Sequence, residues 1–224
     1  MFLAEYWLIA CVIPVVAFVC VLLFANDQKH LNRYYDQRHN HVTYRDITDR
    51  AMTLSLACFV FGLAMGGTDY SSSITTTTTT PTTTTLLDVV VLAVYTVLIV
   101  LLNDLLQWTW HVACHLWRPF IHIHAQHHLI RRVTPMTAFY YHPIEFVVVW
   151  VLLPFGAAYI PRCTFEAAVL SLAYIAATRV LMYSDRQALH LVGIHQSGER
   201  GGNYGAFPYM VDTAVQTLHS GFLL

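Results

Sequence analysis

The chain has 224 residues, of which 56% are hydrophobic and only 11% are charged, with a formal net charge of -1. Soluble domains carry about 25% charged residues, so this composition excludes an ordinary soluble domain. The near-neutral charge leaves no basic footprint for nucleic acid. Cys11, Cys20, Cys58, Cys114 and Cys163 are scattered, form no CxxC pair and read as buried free thiols.

In chain order, the first predicted element is the uncharged stretch from Trp7 to Phe24, close to the roughly 20 residues that span a bilayer. Pro14 should kink it. No basic segment precedes it and no small-residue cleavage site follows, so it reads as a signal anchor. The mixed-charge loop from Asn26 to Arg50 contains His30, His39 and His41 at spacings that match no ligand pattern. Ala51 to Thr68 is a second uncharged stretch. Residues 67–85 then carry eleven threonines and no basic residue, the composition of a flexible lumenal loop. Val89 to Asn103 is a third apolar stretch, continuous with the first histidines. Phe146 to Ile160 and Ala167 to Thr178 are a fourth and fifth, either side of Pro161, and should form a hairpin that only partly crosses. The expected fold is all-α: a single integral membrane domain over residues 1–224, with about four to five membrane helices or half-helices. A cytosol-facing, metal-binding helical cap is built from 104–145 and 179–217.

Charge orients this arrangement. With the amino terminus outside, eleven of the 12 Lys and Arg residues lie on the cytoplasmic side and only Arg162 opposes, as the positive-inside rule prefers.

The strongest chemical signal is histidine. Seven of the 13 histidines fall between His111 and His142. His111 and His115 are four apart, which on a helix places both rings on one face. His124, His127 and His128 stand at i, i+3 and i+4. His142 precedes Pro143 and can reach in from a turn. So many imidazoles beside a bilayer would be costly to bury unless paired or metallated. Imidazole is also the commonest protein ligand for a transition metal. The pattern points to a metal centre at a membrane surface, and hence to an enzyme acting on lipid. His122, two residues before His124, should face elsewhere, and His219 is isolated.

The stretch from Asp104 to Glu145 resembles the fatty acid hydroxylase / sterol desaturase superfamily of membrane non-haem di-iron enzymes. The resemblance rests on Asp104, Trp108 and Trp110, then HVACH, HAQHH, Pro135 and HPIE (His142, Pro143, Glu145), in the family's order and spacing. Asn203-Tyr204-Gly205 and Asp212 with Gln216-Thr217 resemble later family elements, although Gln216 stands where the family has glycine. The last histidine box departs from the pattern. Only His195 matches, Leu191 and Ile194 occupy the other ligand places, and His190 is one residue out of register. Tyr183-Ser184-Asp185 stands where the family has an HSG-like element.

The resemblance implies a metal set of His111, His115, His124, His127, His128, His142, His195 and His190. No catalytic residue is expected beyond the metal centre. Asp104, seven residues before His111, and Glu145, three after His142, are expected to orient the ligands from behind. It further implies iron, in a di-iron state, with O2 as co-substrate. The product would be a hydroxylated or desaturated sterol or fatty acyl chain, in lipid or sterol biosynthesis. Electrons would come from NAD(P)H through cytochrome b5 or a similar carrier, because the chain has no nucleotide, flavin or haem motif. The endoplasmic reticulum is the expected membrane. Arg131 and Arg132 would meet headgroups or the acidic donor, and the helices from Phe146 to Thr178 with the stretch from Val89 would form the lipid access path. Two other readings stand beside this one. One is a catalytically degenerate relative with a structural or regulatory role. The other is a membrane metal-binding or transport protein, which the scarcity of polar residues inside the spans disfavours.

Overall fold

The computed structural model describes residues 9–19, 44–70, 85–130, 134–161, 163–183 and 210–215. Among them every regular element is helical, and the expected all-α architecture is observed. The elements are α1 (Ile9–Val19), α2 (Tyr44–Tyr70), α3 (Leu86–Leu116), α4 (Arg118–His124), α5 (Pro143–Tyr159), α6 (Phe165–Met182) and α7 (Met210–Ala214). Short 3-10 turns at His127–Leu129 and Pro135–Phe139 link α4 to α5.

The longest helix starts where the threonine run stops. Thr85 caps α3: its hydroxyl oxygen accepts from Asp88 N at 3.3 Å, and Asp88 Oδ2 accepts from Thr85 N at 2.8 Å. This reciprocal box satisfies two backbone donors at the helix start. Leu, Val and Ile then dominate, and only 11% of the apolar stretch is buried within the protein. Val89, Val90, Val94, Val97 and Leu98 are exposed. A helix apolar all round and bare on its outer surface is matched to lipid. At 1.5 Å per residue, Leu86 to His111 spans about 38 Å. That exceeds the roughly 30 Å hydrocarbon core, so a helix of this length can cross and still carry its histidine end beyond the core.

α6 also has the length and apolarity to cross a membrane. It therefore exceeds the partial crossing expected of the stretch from Ala167 to Thr178, because the helix begins at Phe165 and runs on through Arg179 to Met182. α1 and α5 are apolar but shorter. Of the expected four to five spans, α3 and α6 are thus the candidates among the described residues by length and apolarity together, while α2, over the expected second span, runs for 27 residues. α2 continues through Gly66 and Gly67 to Tyr70, so helix extends into the segment expected to be loop. A glycine lowers helix propensity by only about 1 kcal/mol, too little to stop a helix already propagating. Residues 71–84 of that loop lie outside the described residues.

Two buried apolar clusters hold the helices together. One joins α1 and α2 to the turn Met136–Tyr141 and to Phe146 and Trp150 of α5. The other packs Ile99 and Val100 of α3 on Ala157, Ala167, Ala168 and Leu172 of the α5–α6 hairpin. Small residues at that contact let the backbones approach closely. α2 meets α1 at Gly62, where an added Cβ would collide with the Cβ of Cys11.

α5 contains a π-helical turn at Val148–Leu152, just before Pro154. Leu153 N donates to Val148 O, five residues back. In that register Val149 O should receive the N–H of residue 154, which is proline and has none. The carbonyl is satisfied instead by Arg179 Nη1 at 2.5 Å. Arg179 is 4% exposed, donates from Nη2 to Gln107 Oε1 at 3.2 Å, and lies over the Trp150 ring at 5.0 Å. One guanidinium on α6 thereby joins α3 to α5.

Candidate metal centre

The first two histidine boxes are brought together by a break in the chain. α3 ends at Leu116, and Pro119, in the first turn of α4, cannot supply the N–H that would extend α3 over His115. The chain turns at Trp117, and α4 folds back against the end of α3. Phe120 stacks with Trp117 at 5.8 Å and packs on Trp110 at 5.3 Å, which fixes the return angle.

That fold-back places His111, His115, His124 and His128 around one point, with one ligand atom from each within 4.8 Å of the others. His124 is the hub. Its Nε2 lies 3.2 Å from His115 Nε2 and 2.8 Å from His128 Nε2, and its ring centroid is 4.6 Å from that of His111. His111 and His124 are buried, His128 is half-buried and His115 is exposed, so the cluster is open on one side.

The other face of His124 meets Glu145. Nδ1 and Oε1 are 2.5 Å apart, and both residues are buried. Glu145 Oε2 has no hydrogen-bond partner among the described residues. Glu145 lies in the first turn of α5, capped by His142, whose Nδ1 accepts from Ile144 N at 3.3 Å. Burial disfavours charge on both members of the pair. It pushes the Glu145 carboxyl up to about 8 and His124 down to about 4, so burial favours the neutral form of each member of the metal-free pair. Burial and the neighbouring His124 and His115 lower His128 to about 3. Metal-binding imidazoles must be neutral, and these two are so across the physiological range.

The residues present fit a metal ion. Metal–imidazole bonds of about 2.1 Å at tetrahedral angles separate ligand nitrogens by ~3.4 Å, close to the spacings seen. A carboxylate behind the ring, with an oxygen to spare, is the usual partner of a metal-bound histidine.

Not every predicted residue joins this group. HAQHH does not form one helical face: α4 ends at His124, and His127 and His128 follow in a 3-10 turn. His128 meets His124, whereas His127 turns toward two tyrosines. Its ring stacks on Tyr141 at 4.5 Å, and Tyr183 Oη lies 3.4 Å from its Nε2. The two tyrosine hydroxyls are 2.9 Å apart. His142 stays at its capping position, and His122 is exposed, as its offset from His124 implies. Asp104 is buried on the inner side of α3, and its Oδ2 accepts from Val211 N of α7 at 3.0 Å. The contact thus holds the segment containing Asp212 against α3. His190 and His195, Arg131 and Arg132, and Asn203-Tyr204-Gly205 lie outside the described residues.

Cys114, Tyr141, Tyr183 and Arg179 are not singled out as site residues by motif spacing. Cys114 carried a signal, because it sits inside HVACH. Arg179 did too, as a charge ending an apolar run. Tyr183 carried one as well, because Tyr183-Ser184-Asp185 stands where the family has an HSG-like element, whereas Tyr141 carried none.

No curated protein and no solved structure gives a significant match to the chain. The Fatty acid hydroxylase family matches residues 96–217, more than half of the chain. This match includes every histidine of the cluster, both crossing-length helices from residue 96 onward, and the α7 segment docked on Asp104. The family assignment, the apolar helices and the histidine cluster agree with one another: the chain belongs to the fatty acid hydroxylase family.

Proposed function

We propose that this protein is a membrane-bound, iron-dependent oxidoreductase that uses O2 to hydroxylate or desaturate a sterol or fatty acyl chain. The observation that carries the reading is the convergence of His111, His115, His124 and His128 at the end of a lipid-matched helix. Imidazole-rich sites with an open side suit non-haem iron. When bound there, iron would supply the oxidising chemistry that an unactivated C–H bond requires.

The chain's own residues bind, orient and exclude water. His111, His115, His124 and His128 hold the metal, with His127, His142, His190 and His195 as the further ligands that the family pattern assigns. Glu145 keeps the His124 ring aimed at the metal by engaging Nδ1. Asp104 fixes the inner side of α3 against α7. The apolar surfaces of α3 and α6 bring the lipid chain to the site from the bilayer, where little water competes. Electrons arrive from NAD(P)H through cytochrome b5 or a similar carrier, received near Arg131 and Arg132. The protein resides in the endoplasmic reticulum with the cluster facing the cytosol.

The test is metal content of detergent-purified protein, wild type beside His124→Ala, by elemental analysis with Mössbauer spectroscopy. About two irons per chain, lost in the variant, is the expected result. The last histidine box favours a second reading, a non-catalytic relative, because Leu191 and Ile194 stand in ligand places. Folded wild-type protein that holds one metal or none would favour that reading and end the di-iron one.

A further inference from the structure

Behind the histidine cluster lies a second group of donors. Cys114, His124 and Glu145 each place a ligand atom within 4.8 Å of the other two, and all three are buried. Their exposures are 0%, 3% and 1%. Cys114 comes from the last turns of α3, His124 ends α4 and Glu145 begins α5, so three separate elements converge. The spare oxygen Glu145 Oε2 is the independent sign of a missing occupant. A carboxylate oxygen sealed from water with no donor is costly, and a cation beside it removes that cost.

We propose that Cys114, His124 and Glu145 form a second binding position for a divalent transition metal. There His124 bridges two ions, with Nε2 toward the histidine cluster and Nδ1 toward the second metal. The proposal rests on the first centre being a metal site and adds to it a thiolate ligand from this chain. Filling both positions displaces three protons to solvent, one each from the Cys114 thiol, the Glu145 carboxyl and the His124 ring, which bridges as an imidazolate. Bridging replaces the Nδ1–Glu145 hydrogen bond with two metal bonds, for which Nδ1 and Oε1 part from 2.5 Å toward the ~3.4 Å that two ligand atoms keep on one metal. The donor set of one sulfur, one nitrogen and one carboxylate suits zinc, cobalt or ferrous iron, because thiolate selects softer ions than carboxylate alone. It also offers a route to two metals in a chain whose last histidine box is depleted.

The experiment is anaerobic Co(II) titration of the full-length, metal-stripped protein in detergent, comparing wild type with Cys114→Ala and Cys114→Ser. Cobalt bound by nitrogen and oxygen gives visible ligand-field bands, and cobalt bound by thiolate adds a near-ultraviolet charge-transfer band. The expected result is both signals in wild type. Both variants should lose the charge-transfer band and one equivalent of cobalt while keeping the visible bands. Visible bands without the thiolate band in wild type would overturn the second position and leave the histidine centre standing. So would a thiolate band that survives in Cys114→Ser. Folded wild-type protein that binds no cobalt would overturn both.

Discussion

The two ends of α3 follow opposite rules within one unbroken helix. From Leu86 to Leu98 its apolar side chains face outward and almost none is buried. From Ile99 onward a buried stripe appears, and it changes character along the axis: Ile99 and Val100, then Asn103, Asp104, Gln107, His111 and Cys114. The first end needs only length and apolarity, because lipid accepts any such surface. The second end needs particular partners, since each buried polar group must find a donor, an acceptor or a metal. Tolerance to substitution should therefore fall steeply from one end to the other.

The largest effect away from the histidines is expected at the polar end's anchor. Arg179→Ala removes the donor to Gln107 and to the carbonyl that Pro154 leaves unmatched. A loss of about 3 kcal/mol is expected, read by denaturant unfolding in detergent. Arg179→Lys should recover little of it, because a single ammonium cannot reproduce the planar fork. Equal stability of Arg179→Ala and wild type would break the comparison on this side.

At the other end the comparison is sharpened by charge. Val94→Asp on the bare face of α3 should cost about 3 kcal/mol of membrane insertion, measured as the inserted fraction in a translocation assay. A chain whose α3 faced water would tolerate the change.

The histidine cluster predicts a graded acid response. Unfolded histidine takes up a proton near 6.5, whereas His124 and His128 stay neutral in the folded protein down to about 4 and about 3. Between these values the unfolded chain binds two more protons at these rings and the folded chain one more at Glu145, whose carboxyl is raised to about 8, so the unfolded chain holds about one proton more in net. Stability of the metal-free protein should thus fall as pH drops from 6.5 toward 4, by about 1 kcal/mol per pH unit. Unfolding midpoints across that range check it, and a flat profile would show that the imidazoles are not buried together. The smallest effect is expected for Val97→Ala, within about 0.5 kcal/mol, because its side chain is more than half exposed on the bare face of α3.

Much of this was legible before folding. The apolar runs marked α3 and α6, because hydrophobicity over a bilayer's length is a property of composition. HxxxH placed His111 and His115 on one face by helix period alone, and the family resemblance on these motifs agrees with the family match. Four of the cysteines, Cys11, Cys58, Cys114 and Cys163, are buried free thiols as their surroundings implied. HAQHH was less legible, since its spacing suits a helix while the chain leaves the α-helix after His124. That exit splits the motif, sending His128 to the metal cluster and His127 to Tyr141 and Tyr183.

By itself the sequence determined an all-helical chain with apolar helices of bilayer length, the family and the two motifs whose histidines cluster, because periodicity, apolar length and short motifs are local. Tertiary structure decided which polar groups meet. Glu145 reaches His124 across 21 residues, Tyr141 reaches Tyr183 across 42, Arg179 reaches Gln107 across 72 and Asp104 reaches Val211 across 107. The turn at Pro119 returns His124 toward Glu145, and the π-helical turn before Pro154 leaves the carbonyl that Arg179 meets. A proline marks each place where a hydrogen bond must be made elsewhere, and no local pattern records which distant partner will supply it.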